Sequence, residues 1–409
     1  MINSILDTDL YKFSTSNAYF QLYPLAEGTF KFTDRAKENW ENTFFLDNIK
    51  EEINKLSRLS LSEDEKEWCI KHIPYIPENY WEWLSTFRFD PSKVEMWIDD
   101  DGVFQCEVTD KLYKVTLWEI AILAIYSELR NDFWKVNILA IYPELRIDFW
   151  KVDIIRMKSI LLSKIAFANE NGIAFSEFGT RRRFSSEVQE MVISTLKEHS
   201  KTCVGTSNVY YAMKYNMTPS GTFPHEWMMF HGAVFGYKRA NYLGLEDWIK
   251  VYDGNLGTAL VDTYTTDSFL RTLTRKQAHL LSGFRQDSGD EYEVGEKIIE
   301  RLKEFNIDPK SKCIIFSNAL DFDKAYKINK HFNGLVKVSF GIGTNLTCDT
   351  GLPKEKYKTA NIVMKLSRCR MSSKDPWEKC IKISDDIGKH MGDDREFEIA
   401  KYELHLNNF

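Results

Sequence analysis

The 409 residues carry a formal net charge of −6, with 43% hydrophobic and 28% charged side chains. That length allows two domains and a sizeable core, and the acidic balance excludes a nucleic-acid footprint spread over the whole surface. No apolar run reaches membrane-spanning length, so no membrane span is expected, and an anion site must be a local concentration of Arg and Lys. The N-terminal Met1-Ile2-Asn3-Ser4-Ile5-Leu6-Asp7 lacks the basic-then-apolar pattern of a signal peptide, and the seven cysteines are scattered with no CxxC pair. They read as reduced thiols of a cytoplasmic protein rather than as a disulfide framework or a zinc site.

Residues 1 to about 115 mix short strands and helices. Thr29–Thr33 alternates like a strand, and Ser62 before three acidic residues reads as a helix start. Val94–Ile98 and Val103–Cys106 flank Asp99-Asp100-Asp101-Gly102, a hairpin signal. Residues 122–137 (ILAIYSELRNDFWKVN) are followed at once by 138–153 (ILAIYPELRIDFWKVD), with thirteen of sixteen positions identical. In one continuous helix a 16-residue shift turns the pattern by about 160°, and Pro143 disfavours such a helix. The repeat reads as a tandem duplication or a sequence artefact, which the mass of the natural protein distinguishes. From about residue 200, short apolar runs at 259–262, 281–285, 313–316 and 335–340 recur every 25–30 residues. Helix-like segments such as 291–306 and 319–331 lie between them. That rhythm predicts βα units around a parallel sheet, of which a barrel is one form, with the site at the strand ends.

Several motifs sit at those positions. Phe178-Gly179-Thr180 precedes Arg181, Arg182 and Arg183, a cradle for a multiply charged anion, and Ser186-x-x-Gln189 then looks like a capping box opening a helix. The loop Gly341-Ile342-Gly343-Thr344 follows a β-prone run, and glycine-freed N–H groups can wrap a phosphate. Ser317-Asn318 is a similar strand-end loop. Phe284-Arg285-Gln286-Asp287 places a cation and a carboxylate together, suited to sugar hydroxyls and phosphate. His225 lies in Gly221-Thr222-Phe223-Pro224-His225-Glu226-Trp227. If that stretch is extended, Glu226 points away from His225, and Asp262 is the candidate to orient the imidazole.

In this order, EFGTRRR, GTSN, GTFPHEW, FRQDSGD and GIGTN resemble the nicotinate phosphoribosyltransferase family, from Leu6-Asp7-Thr8-Asp9-Leu10-Tyr11-Lys12 to Asn361–Leu366. The second copy of the repeat departs from the family pattern and looks inserted. The resemblance implies an irregular, incomplete α/β barrel plus a second α+β domain built from both chain ends. The expected division is 1–135, 136–360 and 361–409, the last returning to the first. It also implies a homodimer with active sites at the interface and Tyr11 coming from the partner subunit. The implied reaction joins nicotinate to 5-phosphoribosyl-1-pyrophosphate, coupled to ATP through a phosphorylated His225 oriented by Asp262, with Mg²⁺ required. Tyr11 and Phe178 would sandwich the pyridine ring, with Thr180 nearby and Arg181 next to the ring and pyrophosphate. Arg285 and Asp287 would hold the ribose phosphate, and Ser317, Asn318, Gly341, Gly343 and Thr344 the phosphates.

Ser207 bears on the choice of acid or amide. The related nicotinamide enzymes carry an aspartate at the corresponding position, which would repel the carboxylate of nicotinate. Serine predicts preference for the acid. Two rival readings are a nicotinamide phosphoribosyltransferase and a non-catalytic sensor of phosphoribosyl pyrophosphate. A sensor has no use for a phosphorylatable His225.

Overall fold

A computed structural model describes the chain apart from residues 42–43, 142–148, 354–355 and 407–409, and apart from the side chains of 136–153 and 387. Two sheets organise it. The first contains β1 (Glu27–Asp34), β2 (Val94–Ile98) and β3 (Phe104–Lys111) from the N-terminal region. The second is built from β4 (Phe175–Glu177), β5 (Cys203–Thr206), β6 (Thr258–Leu260), β7 (Gly283–Gln286), β8 (Cys313–Phe316) and β9 (Lys337–Ile342). The chain then returns to the first sheet as β10 (Ile362–Arg370) and β11 (Glu378–Lys379).

The first sheet has the order β11-β10-β1-β3-β2 and its pairs are antiparallel. β1 pairs on one side with β3 and on the other with β10, Phe30 lying opposite Leu366 and Lys31 opposite Lys365. Both ends of the chain therefore build one layer, as the resemblance implied. The turn before β3 is the expected one: Gly102 takes φ +77°, and Asp99 accepts from the Asp101 and Val103 amides.

The second sheet is parallel, ordered β5-β4-β9-β8-β7-β6. Its strands are short apolar runs, such as Cys-Ile-Ile-Phe in β8, flanked by helices including Glu291–Glu304 and Phe322–Phe332. Such runs suit strands covered on both faces. A cavity of about 540 Å³ touches Ser176, Val204, Thr258, Arg285, Ile315 and Ser339, one residue from each strand. The sheet therefore curls around an interior, while β5 and β6 remain its two edges. The apolar runs near 259, 283, 313 and 337 become β6 to β9 with bounds shifted by a few residues. β4 and β5 were too short to register in the sequence.

In the repeat, a helix runs over Trp118–Ile141 and another over Phe149–Glu170, and residues 142–148 lie outside the described residues. The first copy carries specific contacts. Ser127 Oγ donates to the Arg183 carbonyl at 2.9 Å, and Asn131 Nδ2 donates to the Phe184 carbonyl at 3.0 Å. The second copy has Pro143 and Ile147 at those positions, and neither side chain could make such bonds.

Candidate active site

The site lies at the C-terminal ends of the parallel strands, where the antiparallel sheet faces them. A cavity of about 260 Å³ there collects Arg35, Arg181, Arg182, Arg285, Lys365, Lys382 and Lys389 around His225 and Asp287. Seven cations against one lining carboxylate define a site for a polyanion. The phosphate-binding candidates Ser317, Asn318, Gly341, Gly343 and Thr344 line the same cavity. Gly341 is needed for close approach: a Cβ there would strike the ring of Phe178. Gly343 would place one 2.9 Å from the Phe178 carbonyl.

Burial acts on these cations. It pulls Lys365 down to about 8, with Arg181 and Lys382 adding to the fall against Glu119. It also pulls Arg182 down to about 10, aided by Arg181 and Arg35. An arriving anion reverses both penalties.

His225 starts the helix His225–Phe235, after Pro224 at the cap position. The extended conformation expected for this stretch is therefore not adopted. The separation from Glu226 still holds, because successive helical residues point about 100° apart. Glu226 instead binds Lys12 and Thr116. The orienting partners of His225 are Thr263 on Nδ1 (3.0 Å) and Asp287 on Nε2 (3.2 Å). This corrects the expectation for Asp262. That residue follows β6 with its carboxylate turned to the Ser288 hydroxyl and, at 3.9 Å, to Lys382. Its neighbour Thr263 meets the imidazole instead.

Burial lowers the His225 pKa to about 4, with Lys382 adding to the effect against Asp262 and Asp287. The ring is thus neutral near pH 7. Burial pushes Asp287 up, but the His225 hydrogen bond and the charge of Arg285 outweigh it and hold Asp287 well below the usual carboxylate range. An ionised Asp287 accepts only, so the imidazole proton belongs on Nε2. Arg285 is braced by Ser317 at 2.9 Å and lies 5.8 Å over the Phe178 ring. His225, Asp262 and Asp287 bring ligand atoms within 4.8 Å of one another. The Oδ1 of Asp262 is buried without a hydrogen-bond partner, and two carboxylates suit a hard divalent cation.

The second cavity is the interior around which the parallel sheet curls. Its mouth is formed by Asp9, Tyr11, Phe178, Arg181, Ser207 and Arg285. Phe178, Arg181 and Arg285 border both cavities. Tyr11 reaches the mouth from its own chain, where the resemblance implied a partner's tyrosine. The N-terminal segment is stitched to the barrel rim by Leu10 N–H to the Ser207 carbonyl (2.7 Å) and Val209 N–H to the Thr8 carbonyl (3.0 Å). Glu177 shapes the rim from β4. It accepts from the Gly179 amide, Gln189 and Thr206, and burial raises it to about 7.

The arginine triplet divides. Arg181 borders both cavities, while Arg182 lines the polyanion site and donates to the Ile362 carbonyl. Arg183 is fully buried, paired with Asp7 (2.8 Å) and Glu128 (2.7 Å), and faces no ligand space. Thr180 lines neither cavity; its Oγ1 accepts from Gln189 and Asn208 and braces the turn. The helix after the triplet is capped by Ser185, not Ser186, and Gln189 serves Glu177 and Thr180. Sequence reasoning missed Arg35, Lys365, Lys382, Lys389 and Asp9. Of these, Lys365 alone had a local signal, its place in the alternation of β10 beside Val363, which lines the same cavity.

The comparisons with known proteins agree with this geometry. The profile of the nicotinate phosphoribosyltransferase (NAPRTase) family matches residues 173–407, and that of the NAPRTase N-terminal domain matches residues 6–127. A nicotinate phosphoribosyltransferase of Desulforapulum autotrophicum is 37% identical, covering 97% of each chain. The crystal structure of nicotinate phosphoribosyltransferase from Porphyromonas gingivalis is 45% identical with a TM-score of 0.92, covering 99% of this chain and 100% of its own. The one from Vibrio cholerae is 32% identical with a TM-score of 0.85, covering 99% and 94%. Cationic cavity, aromatic barrel mouth and both sequence profiles converge, and the chain belongs to the nicotinate phosphoribosyltransferase family of enzymes.

Proposed function

We propose that the protein transfers the phosphoribosyl group of 5-phosphoribosyl-1-pyrophosphate to nicotinate, giving nicotinate mononucleotide and pyrophosphate, with ATP coupled through phosphate carried on His225. The reaction serves salvage of nicotinic acid in NAD biosynthesis. The observation that carries this reading is the meeting of a polycationic cavity and an aromatic-mouthed cavity at Phe178, Arg181 and Arg285. A planar heteroaromatic acid fits the second, between Tyr11 and Phe178, and a pyrophosphorylated sugar fits the first.

The pyridine nitrogen already carries its lone pair, so no base need act on it. The work falls on positioning and on stabilising an oxocarbenium-like sugar and the departing pyrophosphate. Arg181 is placed for both, beside the ring and the leaving group. Asp287 and Arg285 hold the ribose and its phosphate, and Ser317, Asn318 and the Gly341–Thr344 loop take the 5′-phosphate. Asp262 and Asp287 would hold Mg²⁺, which supplies charge neutralisation for the phosphates. The Nδ1 lone pair of the neutral imidazole, once released from the Thr263 hydroxyl, can attack the γ-phosphorus of ATP; the N–P bond forms as the bond to ADP breaks, and the Nε2 proton of the resulting phosphoimidazolium stays on its hydrogen bond to Asp287.

The test is a transfer assay with nicotinate and phosphoribosyl pyrophosphate, with and without ATP, and mass spectrometry of His225 in the same samples. His225→Ala should abolish the stimulation by ATP and leave slow ATP-independent transfer. Full ATP coupling in that variant refutes the role of His225, and absence of transfer from the native protein refutes the reaction.

A further inference from the structure

Behind the proposed ring site lies a buried carboxylate that the transfer reaction does not require. Asp9 lines the mouth of the barrel cavity and is 2% exposed. The Ser207 hydroxyl, which lines the same mouth, lies 2.7 Å from its Oδ1. Ser207 has a single proton. When it donates to an ionised Asp9, only oxygen lone pairs remain for a ligand. A carboxylate acceptor such as nicotinate then finds no donor at Ser207 and a second negative charge just beyond it. An amide would be satisfied there, because its N–H can donate to Ser207.

We propose that Asp9 and Ser207 form a proton-coupled pair that admits the carboxylate of the acceptor. On binding, Asp9 takes up one proton from solvent and donates it to Ser207 Oγ, and the Ser207 hydroxyl then donates to the bound carboxylate. Ser207 alone does not choose the acid; the pair does, and the choice depends on pH. This rests on nicotinate being the acceptor.

Charge bookkeeping favours the pair. Arg181 faces Asp9 with one positive charge. Nicotinate with neutral Asp9, or an amide with ionised Asp9, each leaves one negative charge opposite Arg181. The surroundings also hold Asp9 ready to accept a proton. Burial pushes its carboxyl up by more than Arg181 and the hydroxyls of Ser207 and Thr180 pull it down. Tyr11 also faces it, and burial holds that phenol well above its ordinary range, so it stays protonated; the two facing carboxylates are Glu119 on the helix Trp118–Ile141 and Glu177 on β4. Both add to the rise or compete for the same proton.

The test compares native protein with Asp9→Asn and Ser207→Ala between about pH 6 and about pH 9, where nicotinate is a carboxylate throughout. At saturating phosphoribosyl pyrophosphate, the native preference for nicotinate over nicotinamide in kcat/KM should fall about tenfold per pH unit above the Asp9 pKa. In Asp9→Asn the amide donates permanently to Ser207, and this slope should vanish. Ser207→Ala should lose the slope together with acid preference. If Asp9→Asn does not fold, calorimetry on the native protein in buffers of different ionisation enthalpy takes its place. Nicotinate binding should take up close to one proton at the alkaline end and less at the acid end. A slope that persists in Asp9→Asn belongs to Glu177 or another group and overturns the pair, as does zero proton uptake across the range. Product formation with pH-independent preference sinks only the pair, whereas absence of product from nicotinate sinks the reaction it rests on.

Discussion

At the residue scale, three adjacent arginines have three fates. Thr180–Arg182 is a 3₁₀ turn, with about three residues per turn, so consecutive side chains leave it about 120° apart. The sequence flagged the charge density, but the division depends on that turn and was not legible. Arg181→Met should lower kcat by on the order of 10²-fold while leaving thermal stability nearly intact, because the role proposed for Arg181 is to stabilise developing charge. Arg183→Met should do the reverse. It strands the buried carboxylates of Asp7 and Glu128, which costs about 3–5 kcal/mol, read as a fall in denaturation midpoint. His225 contributes a pH dependence of stability. Its pKa is about 4 in the fold against 6.5 unfolded. The neutral ring is favoured in the fold, so its contribution is present above about pH 6.5 and is lost as pH falls through about 4. That amounts to about 3 kcal/mol. The difference in thermal midpoint between native protein and His225→Gln should shrink over this window, and a constant difference would show that burial of the ring costs nothing.

At the element scale, one lysine joins the helices that carry Tyr11 and His225. Lys12 on the helix Leu10–Leu22 is fully buried and ion-paired with Glu226, the residue after His225, and with Glu119 at 2.5 Å. Tyr11 and His225 are thus held in fixed relation by their immediate neighbours. Lys12→Met leaves two buried glutamates uncompensated. It should destabilise the protein by about 3–5 kcal/mol and raise KM for nicotinate, measured by chemical denaturation and steady-state kinetics. The same scale shows what pattern reading can do. β2, the hairpin after it and the cap at Ser62 follow from local chemistry and were anticipated. Asp262 was assigned to His225 because it ends a strand near the right place. One residue decides which side chain of Asp262-Thr263 turns toward the imidazole, and no periodicity fixes that. In the repeat, Ser127 and Asn131 distinguish the copy that packs against the arginine turn from the copy whose Pro143 and Ile147 could not.

At the scale of the whole molecule, the site exists because two sheets from distant parts of the chain face one another. β10 pairs with β1 more than 300 positions away in sequence and carries Lys365 to the polyanion cavity. Such long-range pairing leaves little local trace, so Arg35, Lys382 and Lys389 were invisible, whereas the loops at the ends of β7, β8 and β9 advertised themselves through glycine and polar residues. With Tyr11 and His225 in one chain, mixing a Tyr11→Ala chain with a His225→Ala chain should restore no ATP-stimulated activity. Recovery on mixing would mean that sites are shared between chains.

The partition of Phe178, Arg181 and Arg285 between the two cavities also dictates a handedness. In the proposed reaction, an acceptor seated in the mouth of the larger cavity would meet the sugar from one side of this partition, while the pyrophosphate among the lysines and arginines would depart on the other. Bond making and bond breaking then share one line through the anomeric carbon, and its configuration must invert. An α-linked donor should yield only the β-nucleotide, and the anomeric proton coupling of the product would report it directly.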